Sequence, residues 1–299
     1  MPFLRNCLLD TPNNRSSHNL PTPRGGGISF VLVSSLSCLI AYFLFPETIL
    51  PEQNVLFAPL ICLPLAVVGL IDDFCDLPAF FRFFVQTFTS FFVISLSPLL
   101  PSYHLLLFLF LAISFVAIVN FTNFMDGIDG LVSGCMSVAI TVSLYSLDAP
   151  SSSWALIGSL FAFVFWNWSP AKVFMGDVGS TFLGALFAFL VLQSASWQQS
   201  FSLLLVASPL LADACFCVVR RLVDGQSVFQ AHRLHLFQRL HQAGWSHGRV
   251  SSLYLFSTVI LGLSFLLGGL SFLIPFTLLL IVIGIWLDQN IAVPFSLPS

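Results

Sequence analysis

Residues 105–131, LLLFLFLAISFVAIVNFTNFMDGIDGL, join a long apolar run to a short cluster of polar side chains. The segment from 105 to 122 is long and apolar enough to cross a bilayer, because a spanning helix needs about 20 mostly apolar residues. Asn and Asp then follow at intervals of three, and two glycines weaken any continuing helix. The stretch therefore predicts a membrane span that ends near Asn123 and opens into an irregular polar turn.

The composition places the rest of the chain in the same class. Of 299 residues, 57% are hydrophobic and 8% are charged, and the mean hydropathy is +0.96. A soluble domain averages about 25% charged residues, so this chain has too little polar surface for a water-soluble particle of its size. The formal net charge of −3 gives no reason to expect a nucleic-acid partner. We predict an all-α, polytopic membrane helix bundle that forms one domain over residues 1–299.

Apolar segments predict about ten transmembrane helices. They are 27–46, 55–71, 83–100, 105–122, 131–147, 154–168, 180–194, 201–217, 251–268 and 272–287. When the connections alternate between two sides, all 10 Lys and Arg residues fall on one side, which the positive-inside rule makes cytoplasmic. Most Asp residues fall on that side too, at or just beyond helix ends, while Asp213 lies inside a span. An ionisable group in a span is by default functional, so we expect a site that faces the cytosol at the membrane surface.

The first acidic motif is GLIDDFCDLPAFFRFFVQ, residues 69–86. Asp72 and Asp73 are adjacent, and on a helix end Asp72 and Asp76 would share a face. Clustered carboxylates repel each other unless a cation or a shared proton relieves them. One or two carboxylates combined with substrate phosphates are a typical environment of Mg²⁺. The alternative is a solvated acidic loop or a set of helix caps.

The polar turn NFTNFMDGIDGL, residues 120–131, offers amide donors and carboxylate acceptors from Asn120, Asn123, Asp126 and Asp129. Irregular backbone at membrane depth is tolerated only where it is buried in protein or lines a cavity. These groups suit a nucleobase, a ribose or the water shell of a metal ion. The alternative is a polar connection that holds helix ends together.

A third motif, NWSPAKVFMGDVGST, spans residues 167–181. Asp177 is followed by Gly179 and Ser180 at the start of a predicted span. A helix N-terminus exposes unpaired backbone donors and small residues let a phosphate approach, so Asp177 could ligate a cation already bound to that phosphate. The alternative is an Asp that caps the helix next to glycines of a tight turn.

The loop RRLVDGQSVFQAHRLHLFQRLHQAGWSH, residues 220–247, is basic. His232, His235 and Arg239 would share one face of a helix and form a clamp for phosphate. Zinc is less favoured, because neither a Cys nor a carboxylate completes a tetrahedral set nearby in the sequence. We expect the cysteines to be free thiols, since they include no C-x-x-C pair. The alternative for this loop is an amphipathic segment that lies on anionic lipid.

The N-terminal motif RSSHNLPTPRGGGISF, residues 15–30, carries three glycines after Arg24. Glycines permit a close approach of the backbone to a ligand or a helix. The alternative is a flexible entry to the first span.

Taken together, these motifs resemble the polyprenyl-phosphate N-acetylhexosamine-1-phosphate transferases, a family that includes phospho-N-acetylmuramoyl-pentapeptide transferase. The resemblance rests on PTPRGGG, the Asp72–Asp73 pair, NFMDGIDG, VFMGDVGS and HRLHLFQRL, which follow the family's order. It implies a bundle of ten or eleven spans in the bacterial inner membrane, with a cytoplasmic active site. It also implies transfer of a sugar 1-phosphate from a UDP-sugar to undecaprenyl phosphate with release of UMP. Mg²⁺ or Mn²⁺ would be the cofactor, and a homodimer is compatible with the family.

The resemblance also assigns roles to particular residues. Asp177 corresponds to the metal ligand, and Asp72 and Asp73 correspond to the catalytic pair, as base or as metal partner. The positions that match contacts to the nucleotide, the sugar or the phosphates are Asn123, Asp126, Asp129, Asn167, Phe174, His232, His235 and Arg239.

Two departures from the family refine these expectations. The muramoyl-pentapeptide branch carries three consecutive His where this chain reads HRLH. We therefore favour the branch that starts O-antigen or other surface polysaccharides with N-acetylglucosamine or a related amino sugar. The family also has a span before the RSSH segment, and we expect this chain to lack it.

Two other classes make different predictions. A cation-coupled transporter, which is the main alternative, needs carboxylates near mid-span and broken helices. A third class, the intramembrane aspartyl proteases, is a family that carries a G-x-G-D motif. This chain reads FMGD instead. The position of the carboxylates at helix ends favours the transferase.

Overall fold

Helices account for nearly all regular structure in the computed structural model, which describes residues 9–10, 21–45, 54–100, 104–226 and 232–295. In chain order they are α1 (Ile28–Leu44), α2 (Ala58–Cys75), α3 (Ala79–Ser95), α4 (Leu105–Phe124), α5 (Leu131–Ser146), α6 (Trp154–Asn167), α7 (Asp177–Leu192), α8 (Trp197–Val206), α9 (Ser208–Val223), α10 (Leu236–Gln242) and α11 (His247–Asn290). Short 3-10 turns at Asn54–Phe57 and Ser151–Ser153 precede α2 and α6. Two short strands, β1 (Leu9–Asp10) and β2 (Thr22–Pro23), pair antiparallel. The all-α prediction is confirmed.

Helix α7 forms the centre of the bundle. Every residue from Val178 to Leu192 is buried. The helix packs chiefly against α2 and α4, and a helix that is apolar all round belongs in the interior of a bundle. Because α7 is enclosed along its length, its first residue, Asp177, is held in a fixed position.

Gly69 lets α2 pass α7 at backbone contact. A Cβ atom at this position would lie 2.4 Å from the carbonyl oxygen of Asp177. Only a residue without a side chain fits such an approach. The crossing places the last turn of α2, with Asp72 and Asp73, beside the first turn of α7.

The helices make the chain a membrane protein. Three described helical segments are long and apolar enough to cross a bilayer, namely Asn54–Cys75, Leu105–Phe124 and His247–Asn290. Four further apolar helices are shorter: Ile28–Leu44, Ala79–Ser95, Leu131–Ser146 and Asp177–Leu192. Large apolar side chains cover the outside as well, and Leu106 and Phe80 are 84% and 81% exposed. Exposed apolar surface of this extent suits lipid rather than water.

In two places the helices differ from the predicted membrane spans. The predicted span 201–217 is a bent pair, in which α8 and α9 meet at 82°. Pro209 lies in the first turn of α9, where its missing N–H prevents α8 from continuing straight on. The predicted spans 251–268 and 272–287 both fall within α11, which is interrupted at Gly269 (φ 58°, ψ −149°).

Two sequence predictions about helix faces are wrong. Helix α2 ends at Cys75, and Asp76 follows it in a left-handed conformation with φ 46°, so Asp72 and Asp76 do not share a helix face. Helix α10 begins at Leu236, after both histidines of the basic loop. His232, His235 and Arg239 therefore do not lie along one helix.

The free-thiol prediction is confirmed within the described residues. The free cysteines there are Cys38, Cys62, Cys75, Cys135, Cys215 and Cys217. Cys7 and the RSSH segment lie outside the described ranges.

Candidate active site

Asp73 caps the N-terminus of α7 from a different helix. Its Oδ1 accepts the backbone N–H of Asp177 at 3.1 Å, and its Oδ2 accepts that of Val178 at 3.2 Å. The first N–H groups of a helix have no partner within the helix, and a carboxylate is the strongest acceptor for them. Gly176 (φ 75°) makes the approach possible, because a Cβ there would lie 2.6 Å from Asp73 Oδ2. Asp73 thereby fixes the position of Asp177.

Asp177 is the most open carboxylate of the cluster. Its side chain is 35% exposed, whereas those of Asp72 and Asp73 are 7% and 2% exposed. Asp177 Oδ1 accepts a hydrogen bond of 2.9 Å from the Asn123 amide, which also donates to Ser180 Oγ at 2.9 Å. Asn123 thus orients one carboxylate oxygen of Asp177, and the other oxygen, Oδ2, lies 3.8 Å from Arg82 Nη1.

Arg82 links the two acidic motifs. Its Nη1 lies 2.6 Å from Asp72 Oδ2 and 3.8 Å from Asp177 Oδ2. Asp72 Oδ1 meanwhile accepts the backbone N–H of Leu77 at 2.6 Å. Oxygens from α2 and α7 therefore converge on one positive centre, contributed by α3.

Asp126 belongs to the same cluster. Burial, followed by the negative charges of Asp177 and Asp73, raises the pKa of Asp126 to about 8. The three carboxyl groups are therefore close enough to oppose one another's ionisation. The polar turn after α4, which follows the predicted end of this helix, places Asp126 beside the motifs of α2 and α7.

The glycine-rich N-terminal motif packs against the segment before Asp177. Gly26 and Gly27 donate backbone hydrogen bonds of 2.9 Å to the carbonyls of Phe174 and Met175, and Phe174 donates one of 2.8 Å to Pro23. Arg24 donates to the backbone carbonyl of Asp73, and its Nε lies 3.8 Å from Asp73 Oδ1. This motif therefore forms one wall of the candidate site.

Asp129 and Asn167 are occupied by protein contacts. Asp129 Oδ1 lies 3.2 Å from His247 Nδ1, and its Oδ2 accepts the N–H of Ala171 at 3.1 Å. The Asn167 side chain bonds Gly130 N at 3.1 Å, Ser133 Oγ at 2.7 Å and the carbonyl of Val173 at 3.0 Å. Both side chains hold the polar turn in place.

Asn120 also makes structural contacts. Its amide donates to Gln86 Oε1 at 2.7 Å and to the carbonyl of Val116 at 2.8 Å, which ties α3 to α4.

The two histidines and Arg239 gather in a second cluster, around Asp213 of α9. His235 and Arg239 are buried, and His232 is partly buried. Arg239 pairs with Asp288 and donates to the carbonyl of Val293 at 2.8 Å. A Cβ on Gly127 would lie 3.0 Å from the ring of Phe237, so α10 packs on the polar turn.

Sequence reasoning gave no role to Arg82 or His247. Each partners an Asp from another motif, and pairs so distant in sequence have no local pattern. The one available signal was charge, since an Arg among phenylalanines on the predicted cytoplasmic side needs a partner.

The donor set fits a hard divalent cation. The two side chains that pair with the Arg82 guanidinium group, Asp72 and Asp177, present carboxylate oxygen, the ligand that Mg²⁺ prefers. After burial, the negative charges of Asp177 and Asp73 also raise the pKa of Asp126, and a cation would relieve this repulsion. One or two carboxylates could hold such an ion together with ligand phosphates.

The fold and this cluster define a polytopic membrane protein with an acidic, oxygen-rich site where the ends of α2, α4 and α7 meet. Comparison with known proteins gives the family. The sequence model of glycosyl transferase family 4 matches residues 55–195.

Three relatives illustrate the similarity. A probable undecaprenyl-phosphate N-acetylglucosaminyl 1-phosphate transferase of Bacillus subtilis is 27% identical, over 83% of this chain and 73% of that protein. The undecaprenyl-phosphate alpha-N-acetylglucosaminyl 1-phosphate transferase of Thermotoga maritima is 30% identical, over 78% of this chain and 73% of its own length. The phospho-N-acetylmuramoyl-pentapeptide-transferase of Streptococcus mutans is 31% identical, over 81% and 83%. The chain therefore belongs to glycosyl transferase family 4, as its motifs predicted.

Proposed function

We propose that the protein transfers N-acetylglucosamine 1-phosphate, or the 1-phosphate of a related N-acetylated amino sugar, from a UDP-sugar to undecaprenyl phosphate. The products are UMP and a lipid-linked sugar that starts a surface polysaccharide such as O-antigen. The names of the relatives from Bacillus subtilis and Thermotoga maritima support the acceptor and the sugar. The one-sided distribution of Lys and Arg in the predicted topology supports a site that faces the cytoplasm of a bacterial inner membrane.

The observation that carries the proposal is the position of Asp177. Its side chain is more open than those of Asp72 and Asp73, and Asp73, Asn123 and Arg82 hold it in place. A pyrophosphate that enters this cluster would meet carboxylates, which repel it unless a cation lies between. We assign Asp177, with Asp72 as its partner, to hold Mg²⁺, which when bound neutralises the pyrophosphate oxygens.

The reaction needs little acid–base chemistry from the protein. An oxygen of the lipid phosphate attacks the β-phosphorus of the UDP-sugar, and the bond from that phosphorus to the bridging oxygen breaks as UMP leaves. A phosphate monoester has its second pKa near 6, so the acceptor is largely a dianion at neutral pH. The main tasks of the chain are then positioning and charge neutralisation.

Residues of the cluster divide into two sets. Asp177, Asn123 and Asp126 face the donor. Asp73, Asp129 and Asn167 hold the walls.

Arg82 is free to turn from the carboxylates to a phosphate once a cation takes its place. For Phe174 we propose an edge of the sugar pocket, and for His232, His235 and Arg239 a position behind the polar turn rather than in direct contact with phosphate.

A donor panel tests the function. The purified protein in detergent is given undecaprenyl phosphate and Mg²⁺ with UDP-N-acetylglucosamine, UDP-N-acetylgalactosamine or UDP-N-acetylmuramoyl-pentapeptide, and UMP and the lipid product are measured together. We expect both products with the first donor, and loss of both on chelation. UMP release without a lipid product, or no turnover with any donor, would contradict the proposal.

Two variants separate the metal assignment from general damage. Asp177→Asn should lower the transfer rate by about three orders of magnitude, because a metal contact contributes several kcal/mol at about 1.4 kcal/mol per tenfold. Asp148→Asn is the matched control, since Asp148 is an exposed Asp in a turn on the opposite side of the predicted topology. Near-normal turnover of Asp177→Asn would sink the metal assignment, whichever donor is used.

A further inference from the structure

A second group of metal-ligating side chains lies apart from the carboxylates. Cys217 of α9 meets His232 and His235 of the basic loop, and one ligand atom from each lies within 4.8 Å of the other two. Cys217 and His235 are buried, and His232 is partly buried. Within the described residues, no other group of three such side chains converges this closely.

The donor types select a particular class of metal ion. A thiolate and two imidazoles suit borderline and soft cations, of which Zn²⁺ is the commonest with these ligands, whereas Mg²⁺ requires oxygen. Imidazole binds a metal through a neutral nitrogen. His232 and His235 each bring such a nitrogen to the cluster.

One ring nitrogen of His235 has no close partner. The His235 side chain forms a capping box with Gln238 at the start of α10, but its buried Nδ1 atom makes no close hydrogen bond among the described residues. Asp213 Oδ1 lies 3.9 Å from this nitrogen, which is too far for a hydrogen bond. A buried nitrogen without a close partner is destabilising, and coordination of a cation through it would relieve that cost.

Asp213, Cys217 and Arg221 follow each other at intervals of four along α9, so they share one face of the helix. The charges around Cys217 are mixed, because Arg220, Arg221 and Arg239 act on it together with Asp213. The types of the converging donor atoms, rather than the local net charge, therefore select the ion.

We propose that Cys217, His232 and His235 form a binding site for a divalent transition metal, with Zn²⁺ the best match. The fourth position is left for water, because hydrogen bonds from Leu236, Phe237 and Tyr254 already occupy the Asp213 carboxylate. Such an ion would fasten the segment before α10 to the end of α9. The proposal is independent of the transferase assignment, because it uses none of the carboxylates at Asp177.

The site can be tested with Co²⁺, which reports thiolate ligation by a charge-transfer absorption band in the near ultraviolet. The tag-free protein, stripped with a chelator, is titrated with Co²⁺ in detergent and then with Zn²⁺. We expect a thiolate band that saturates at one Co²⁺ per chain and disappears when Zn²⁺ displaces Co²⁺. A wild-type protein that binds no Co²⁺, or binds it without the band, would overturn the proposal.

Variants locate the ligands. Cys217→Ser should abolish the band, and His232→Gln should weaken binding by at least about tenfold. Cys215→Ser is the matched control, because Cys215 is an exposed thiol two positions earlier on the same helix. Asp177→Asn should leave the band unchanged, which separates this site from the proposed Mg²⁺ site. A band that survives in Cys217→Ser and disappears in Cys215→Ser would contradict the assignment, and size-exclusion profiles check that each variant is folded.

Discussion

Asp177 and Asp213 are both carboxylates among apolar helices, but their surroundings differ. Asp213 accepts hydrogen bonds from Leu236 N at 2.7 Å, Phe237 N at 3.1 Å and Tyr254 Oη at 2.7 Å, and its side chain is 5% exposed. Asp177 is 35% exposed and receives one side-chain hydrogen bond, from Asn123. Three protein donors satisfy the first carboxylate, whereas the second is partly exposed and receives only one side-chain hydrogen bond.

The difference shows how to separate structural from functional acids in a membrane protein. An ionisable group inside a span is expensive and is functional by default, which is how the sequence presents Asp213. Its three donors make it instead the anchor that caps α10 and holds it to α9 and α11. Exposure and unused acceptor capacity, rather than depth along a predicted span, identify the acid that can bind a ligand.

The largest stability effect should come from Asp213→Ala. This substitution leaves two backbone N–H groups and the Tyr254 hydroxyl buried without an acceptor, which should destabilise the protein by about 3–5 kcal/mol. Thermal unfolding in detergent measures it. Tyr254→Phe removes one of the three bonds and should cost only about 1 kcal/mol. An unfolding temperature of Asp213→Ala equal to that of the wild type would mean that Asp213 is not structural.

Asn123→Ala should separate activity from stability. The variant removes the amide that orients Asp177, so we expect transfer to fall about tenfold, the equivalent of one hydrogen bond to a charged group. Its unfolding temperature should change little, since Asn123 is only partly buried. Asn120→Ala is the control, because Asn120 ties α3 to α4 and contacts no carboxylate of the cluster. Equal losses of activity in both variants would indicate general damage.

Arg82→Gln tests whether Arg82 competes with a metal ion for Asp72 and Asp177. Without the guanidinium group, Asp72 and Asp177 lose a cation that competes with a metal ion. We therefore expect Mn²⁺ to bind several-fold more tightly, as followed by its electron paramagnetic resonance signal, whatever the effect on turnover. Arg220→Gln removes the comparable pair with Asp288, at 3.3 Å, and should leave Mn²⁺ binding unchanged. Weaker Mn²⁺ binding in Arg82→Gln would show that Arg82 helps to hold the ion site together.

The smallest effect concerns Asp129 and its partner His247. Burial would raise the pKa of Asp129, but the hydrogen bond and the charge of His247 outweigh it, and the net pKa lies below the ordinary value. A lowered folded-state pKa gives stability that is present above about pH 4 and disappears as the pH falls through the folded-state pKa.

His247→Gln should therefore lower the unfolding temperature slightly at pH 7, and the difference from the wild type should shrink below about pH 4. If the difference in unfolding temperature grows below about pH 4, the Asp129–His247 pair is not its source.

Much of the site could be predicted from local patterns. The end of α4 near Asn123 and the polar turn after it follow from an apolar run that stops at two glycines. The all-helical membrane class follows from composition, and the family follows from five motifs in order. Each of these properties depends on residues that are close together in sequence.

Other features depended on distant partners. Sequence spacing placed His232, His235 and Arg239 on one helix, but the helix starts only after His235, where Asp213 accepts the N–H groups of its first turn. The sequence of the basic loop offers no Cys as a zinc ligand close to the histidines. The fold brings Cys217 of α9 next to His232 and His235. The bend at Pro209 depends on a local residue, but its angle of 82° depends on packing.

The sequence by itself therefore determined the helices, their apolar character and the motifs that carry the acids, because short-range periodicity and composition govern those properties. Only the tertiary structure decided what each acid does. Asp73 caps α7, Asp213 anchors α10 and Asp177 stays partly exposed, because the hydrogen-bond partners of these acids come from other parts of the fold. Gly69 brings Asp72 and Asp73 next to Asp177, because its missing side chain lets α2 touch α7.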